Sequence, residues 1–125
     1  MNLGETFVNL NPSSPPHLWV VCSTPDAAGE VVIFNLTTPS LFSDTTCVLR
    51  PGDHEWIDHD SVVEYERGRM FSEDLKSLMI RRGVYRECAP MRPAVLRRIQ
   101  EGALASPFTP ERLAARARAS LTPLP

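Results

Sequence analysis

From Asp53 to Ser61 the chain reads Asp53-His54-Glu55-Trp56-Ile57-Asp58-His59-Asp60-Ser61, its densest run of proton-carrying side chains. Two imidazoles with several carboxylates around them suit acid–base chemistry near neutral pH, because histidine both gives and takes a proton there. Pro51-Gly52 turns the chain just before this run. Asp53 and His54 are therefore expected at a strand end, where side chains converge on a cleft. The competing reading is an acidic surface loop. The remaining histidine, His17, opens an apolar run, and Thr37-Thr38 closes the next one. If those two runs pair as an antiparallel hairpin, the start of one lies beside the end of the other, and His17 becomes a neighbour of Thr37 and Thr38. All three histidines fall in the front half and are read as marking one site.

Other chemistries are served less well. Cys47, His54 and His59 would offer three zinc donors with no obvious fourth, at a spacing that matches no usual pattern. No metal is expected, and a metal-dependent hydrolase on those three residues stays a minor alternative. Ser23 and Ser61 lack a GxSxG setting. There is no P-loop and no GxGxxG, so no cofactor is expected. Cys22, Cys47 and Cys88 are odd in number and lack CxxC spacing, which favours reduced thiols, with Cys22 as a small core residue.

The elements that would position these residues divide the chain in two. Residues 5–66 hold about five short strand candidates. Thr6–Leu10 is the first, followed by a proline-rich loop over residues 11–16. His17–Ser23 and Glu30–Thr38 are strong, apolar on both faces and suited to the centre of a sheet; residues 24–29 between them carry turn chemistry. Cys47–Arg50 and Ser61–Glu66 complete the set, which suggests a small curled sheet or barrel. The remainder changes to helical period. Ser72 caps a helix with Leu75, Leu78 and Met79 on one face, ended by Gly83. Pro93 opens a second, with Leu96, Ile99 and Ala103. Thr109-Pro110-Glu111 opens a third, with Leu113 and Ala117, and residues 122–125 are expected to fray. The chain reads as one α+β domain, residues 1–125, with a β-barrel core over 1–68 and a helical extension over 69–125.

At 125 residues and 42% hydrophobic, the chain can bury one core. No secretory signal pattern and no membrane-spanning apolar stretch is read, so a cytoplasmic protein with no membrane partner is expected. The net charge of −2 conceals an asymmetry: residues 1–60 carry one basic residue against eight acids, and residues 61–125 carry twelve against seven. Such a basic half is either a solvated helical surface or a cationic face for phosphate or an acidic partner.

The front half resembles the MazF/PemK-like toxins of toxin–antitoxin systems, in a divergent form. Gly4-Glu5-Thr6-Phe7, then His17-Leu18-Trp19-Val20-Val21-Cys22-Ser23, then Val31-Val32-Ile33-Phe34-Asn35-Leu36-Thr37-Thr38 are similar in layout to that family's opening segment, its Arg-Pro-x-Val-Val-Val-Ser strand and its strand ending in threonine. His17 stands nearest the family's arginine, and Thr37 or Thr38 matches its threonine. Pro51–His54, His59-x-Ser61 and three C-terminal helices depart from the usual pattern. The resemblance implies an SH3-like, partly open barrel and a metal-independent endoribonuclease acting on single-stranded RNA. It also implies a cognate antitoxin and a possible homodimer. On this reading His17 and His54 are the acid–base pair, Thr38 holds a phosphate oxygen and Asp53 orients an imidazole. Arg67 and Arg69 neutralise phosphate, Trp56 or Tyr65 stacks a base, and Thr37, His59 and Ser61 line the substrate's path. The alternative is a non-catalytic module on the same barrel, binding nucleic acid or protein.

Overall fold

The computed structural model describes residues 1–13 and 15–123. Within them the chain runs β1 (Thr6–Asn9), β2 (Leu18–Val21), β3 (Glu30–Thr37), β4 (Val48–Leu49), β5 (Ser61–Ser72), α1 (Glu73–Arg81), β6 (Tyr85–Cys88), α2 (Pro93–Ala105) and α3 (Glu111–Ala119). The fold is α+β: a six-stranded antiparallel sheet in the order β4-β5-β3-β2-β1-β6, curled into a half-barrel, with three helices.

The two apolar runs form the middle pair of the sheet, β2 and β3, and their side chains alternate between two buried faces. Val20, Val32, Phe34 and Leu36 face α2 and α3, where they meet Val95, Leu96, Ile99, Leu113 and Ala117. Val21, Val31 and Ile33 face the other way, with Phe7, Trp19 and Phe71. Phe7, Phe71 and Tyr85 close that second cluster, Phe7 stacking on Phe71 at 5.4 Å between ring centroids.

Two expectations change. The sheet has six strands rather than five, because Tyr85–Cys88 pairs with β1 along its outer edge. These residues alternate too little to read as a strand; the pairing partner, not local pattern, makes them one. In addition, β5 runs straight through residue 68, so neither the sheet nor its core respects a boundary there.

The helix ends follow local chemistry. Ser72 accepts the Leu75 amide at the start of α1. Gly83, at φ +71, lets the Gly83 and Val84 amides return to the carbonyls of Ile80 and Met79. Yet α1 does not bury the Leu75 face, since Leu75 is 40% exposed and the buried residue is Lys76. The helix docks through ion pairs from Lys76 to Glu5 and Glu87 instead of an apolar stripe.

Several arginines of the basic half act as fasteners. Arg116 bonds Asp26 and the carbonyls of Thr24 and Glu30, tying α3 to the β2–β3 turn. Arg98 reaches Asp53 and the Val48 carbonyl from α2. Thr122 is held by Gln100; the expectation of fraying otherwise falls on Leu124 and Pro125, which lie outside the described residues. Among the described residues no helix is long and apolar enough to cross a membrane.

Candidate functional site

The second face of the sheet is apolar around Phe7 and Phe71 and turns polar toward the His17 end. Trp19 pairs with Asn35, and Asn35 with Glu64, giving one row across three strands. Val21, Ile33 and Arg69 form the next row. These rows border a cavity of about 520 Å³, a size in the range of small-molecule sites.

A break in register assembles its polar wall. Ile33 and Asn35, two positions apart on β3, face Arg69 and Glu64, five positions apart on β5. In a regular strand, residues an odd number apart point to opposite faces. The extra residues on β5 form a bulge that reverses this, so that Glu64, Arg67 and Arg69 all border the cavity. Gly68 permits it, because a Cβ there would fall 2.3 Å from the Phe34 ring.

Within the cavity the Arg69 guanidinium lies over the Trp19 ring, 4.5 Å from its centroid. The Asn35 amide donates to Glu64 Oε1 at 2.7 Å, and Arg67 Nε lies 3.2 Å from Glu64 Oε2. Asn35 Oδ1 is buried and has no hydrogen-bond partner among the described residues.

His17 and Thr37 also border a second, adjoining cavity of about 230 Å³, together with Thr38, Trp56 and His59. The hairpin of β2 and β3 places Leu18 opposite Leu36, which brings His17 to the Thr37–Thr38 end as its topology requires. His17 Nδ1 lies 3.2 Å from the Leu36 carbonyl. A carbonyl only accepts, so this nitrogen carries a proton, and in the neutral ring the lone pair lies on Nε2. His59 is held on both sides: Nδ1 is 2.5 Å from Asp58 Oδ1, and Nε2 is 2.8 Å from Thr38 Oγ1. With Nδ1–H donated to the carboxylate, Nε2 accepts from the Thr38 hydroxyl. Ser61 is buried and donates to the His59 carbonyl, fixing the turn that presents the imidazole.

Other expected members lie elsewhere. His54 does not meet His17. It is 7% exposed and both ring nitrogens are engaged. The Trp56 amide donates to Nδ1, so Nε2–H donates to the Ala89 carbonyl at 2.6 Å, a carbonyl that also accepts from Thr6. This imidazole fastens the turn to the segment after β6. Asp53 orients no imidazole; it accepts the Arg50 amide and pairs with Arg98. Tyr65 is fully buried and donates to the Ile99 carbonyl, out of reach of any base. Burial pushes its hydroxyl far above the ordinary tyrosine range, and burial likewise pushes the Cys47 thiol up. Cys47, His54 and His59 are not gathered, and among the described residues no three such side chains come close enough to hold a metal ion.

Trp19, Asn35, Asp58 and Glu64 belong to the cavity walls or to the His59 relay without having been singled out. Asn35 carried a signal, being a polar amide inside an otherwise apolar strand, where asparagine is depleted. Comparison with protein-family models, with curated proteins and with solved structures gives no match for this chain.

Proposed function

We propose that the paired cavities bind single-stranded RNA and cut it without a metal, as a toxin-like endoribonuclease on an SH3-like, partly open barrel. The observation that carries this reading is the presence of His17 and His59 at one cavity that Thr37 and Thr38 also line. His17, with its proton fixed on Nδ1, acts as the base: Nε2 takes the 2′-hydroxyl proton as that oxygen attacks the adjacent phosphorus. His59, in its protonated form with Nδ1–H on Asp58, acts as the acid and delivers its Nε2 proton to the departing 5′ oxygen as Thr38 turns away. The products are a 2′,3′-cyclic phosphate and a free 5′-hydroxyl. Thr38 steadies His59 and turns to bond a phosphate oxygen, while Arg67 and Arg69 supply positive charge. Trp56, half-buried in the same wall, offers a face for a base. An antitoxin laid across the cleft, a homodimer and a cytoplasmic setting accompany this reading.

The test is incubation of the purified protein with a mixed RNA pool in excess chelator, followed by end mapping. Cyclic-phosphate ends that disappear in His17→Ala and His59→Ala support it. RNA left intact at high protein concentration, but retained on the protein, points to a binding module instead.

A further inference from the structure

The larger cavity carries a single carboxylate, Glu64, in its polar wall. Glu64 presents a carboxylate whose two oxygens are each held once, by Asn35 and by Arg67, and each oxygen can accept again. The carboxylate is therefore fixed in position before any ligand arrives. Beside it, Asn35 is 2% exposed and its Oδ1 lacks a donor among the described residues. The floor is Arg69, whose guanidinium is backed by the Trp19 ring and offers its outer face as a stacking platform.

We infer that this cavity reads a guanine base, with Glu64 as its specificity determinant. Guanine is the RNA base that presents two adjacent donors, N1–H and the 2-amino group, to a carboxylate. Adenine and cytosine each set an acceptor next to their amino donor, and uracil flanks its single N–H with two carbonyls. The Glu64 carboxylate, which only accepts, repels those neighbouring acceptors. The guanine ring lies on Arg69, its Watson–Crick edge meets Glu64, and its ribose and phosphate lead past Thr37 toward His17, which borders both cavities.

The strand polarity and the link to cleavage rest on the nuclease reading; the preference among bases does not. Calorimetric titration of the intact protein with guanosine, adenosine, cytidine and uridine 5′-monophosphates separates the two. Guanosine monophosphate is expected to bind about ten-fold or more tightly than the others, as a bidentate base contact gives. Inosine monophosphate, which keeps N1–H but lacks the 2-amino group, is expected to lose most of that margin on the unaltered protein. Glu64→Gln turns a donor toward the base and is expected to abolish the preference while thermal unfolding stays in place. Equal binding of the four nucleotides, or a guanine preference that survives Glu64→Gln, overturns the assignment. Guanine selectivity without any RNA cleavage upholds it and sinks the nuclease. Cleavage with no guanine preference does the reverse.

Discussion

The Thr38 hydroxyl and the His59 imidazole meet at 2.8 Å, on the opposite side of the ring from Asp58. Three side chains thus form one line from carboxylate to rim. His59→Ala and His17→Ala are each expected to lower RNA cleavage about 10²–10⁴-fold, the usual contribution of a positioned acid or base. Both histidines are at least partly exposed, so melting temperatures are expected to move little. Thr38→Val is expected to cost less than either.

His54 offers the contrasting case. His54→Ala removes a buried donor from the Ala89 carbonyl and an acceptor from the Trp56 amide. Chemical denaturation is expected to register a loss of about 1–3 kcal/mol, with cleavage per folded molecule unchanged. A collapse of cleavage at full stability would return His54 to the reaction.

Stability is expected to depend on pH through α1. Burial works against the charge on Glu5, but the hydrogen bonds from Lys76 and from the Asn2 backbone, with the nearby positive charges, outweigh it and hold this carboxyl below its ordinary value of 4.5. Burial also works against Lys76, and the bonds to Glu87 and Glu5 outweigh it, raising the amine above its ordinary 10.5. A lowered carboxyl contributes fully above 4.5 and loses its contribution as pH falls through the folded value. A raised amine contributes fully below 10.5 and loses its contribution as pH rises through the folded value. The contribution of α1 is expected to be flat between these limits and to fall outside them, while the raised thiols of Cys22 and Cys47 add a separate loss as pH rises past 9.0. Lys76→Met is expected to cost about 1–3 kcal/mol at neutral pH, less than breaking a fully buried pair because both carboxylates reach solvent. It should also flatten the profile.

α2 crosses the sheet where it has no side chain to spare. A Cβ on Gly102 would fall 2.1 Å from the Tyr65 hydroxyl, which must stay in place to reach the Ile99 carbonyl. Gly102→Ala is expected to destabilise by about 1–3 kcal/mol through overpacking, although alanine is the better helix former. Unfolding curves of this variant beside Ala115→Gly, a change at an exposed position within α3, would separate packing from helix propensity.

Charge in the cleft is expected to appear in salt dependence. If Arg67 and Arg69 contact phosphate, each Arg→Ala change lowers the slope of log affinity against log salt by about 0.7 for single-stranded RNA. An unchanged slope for both would remove them from the backbone path.

Much of the sheet was legible because its central strands are apolar on both faces. The meeting of His17 with Thr37 and Thr38 followed from hairpin topology alone. His54 lies apart from the two cavities, because adjacency in sequence says nothing about which side of a turn a ring will occupy. His54 points inward to Ala89, a residue far along the chain, while His59 emerges at the rim. β6 was invisible for a related reason: its strand character comes from β1. The end of β5 was read at Glu66 because Glu66-Arg67-Gly68-Arg69 breaks the alternation, and that break is the bulge itself.

The bulge gives β5 a parity. Before it, Val63 and Tyr65 face the helices; after it, Met70 does so, while Phe71 joins the opposite cluster. Losing or gaining one residue between Glu66 and Gly68 would exchange the two sides of everything downstream. Phe71 would then turn toward the helices and Arg69 would leave Trp19. A change of two residues would preserve the phase. Length in this short stretch is therefore constrained by evenness rather than by size, and insertions there would be tolerated in pairs.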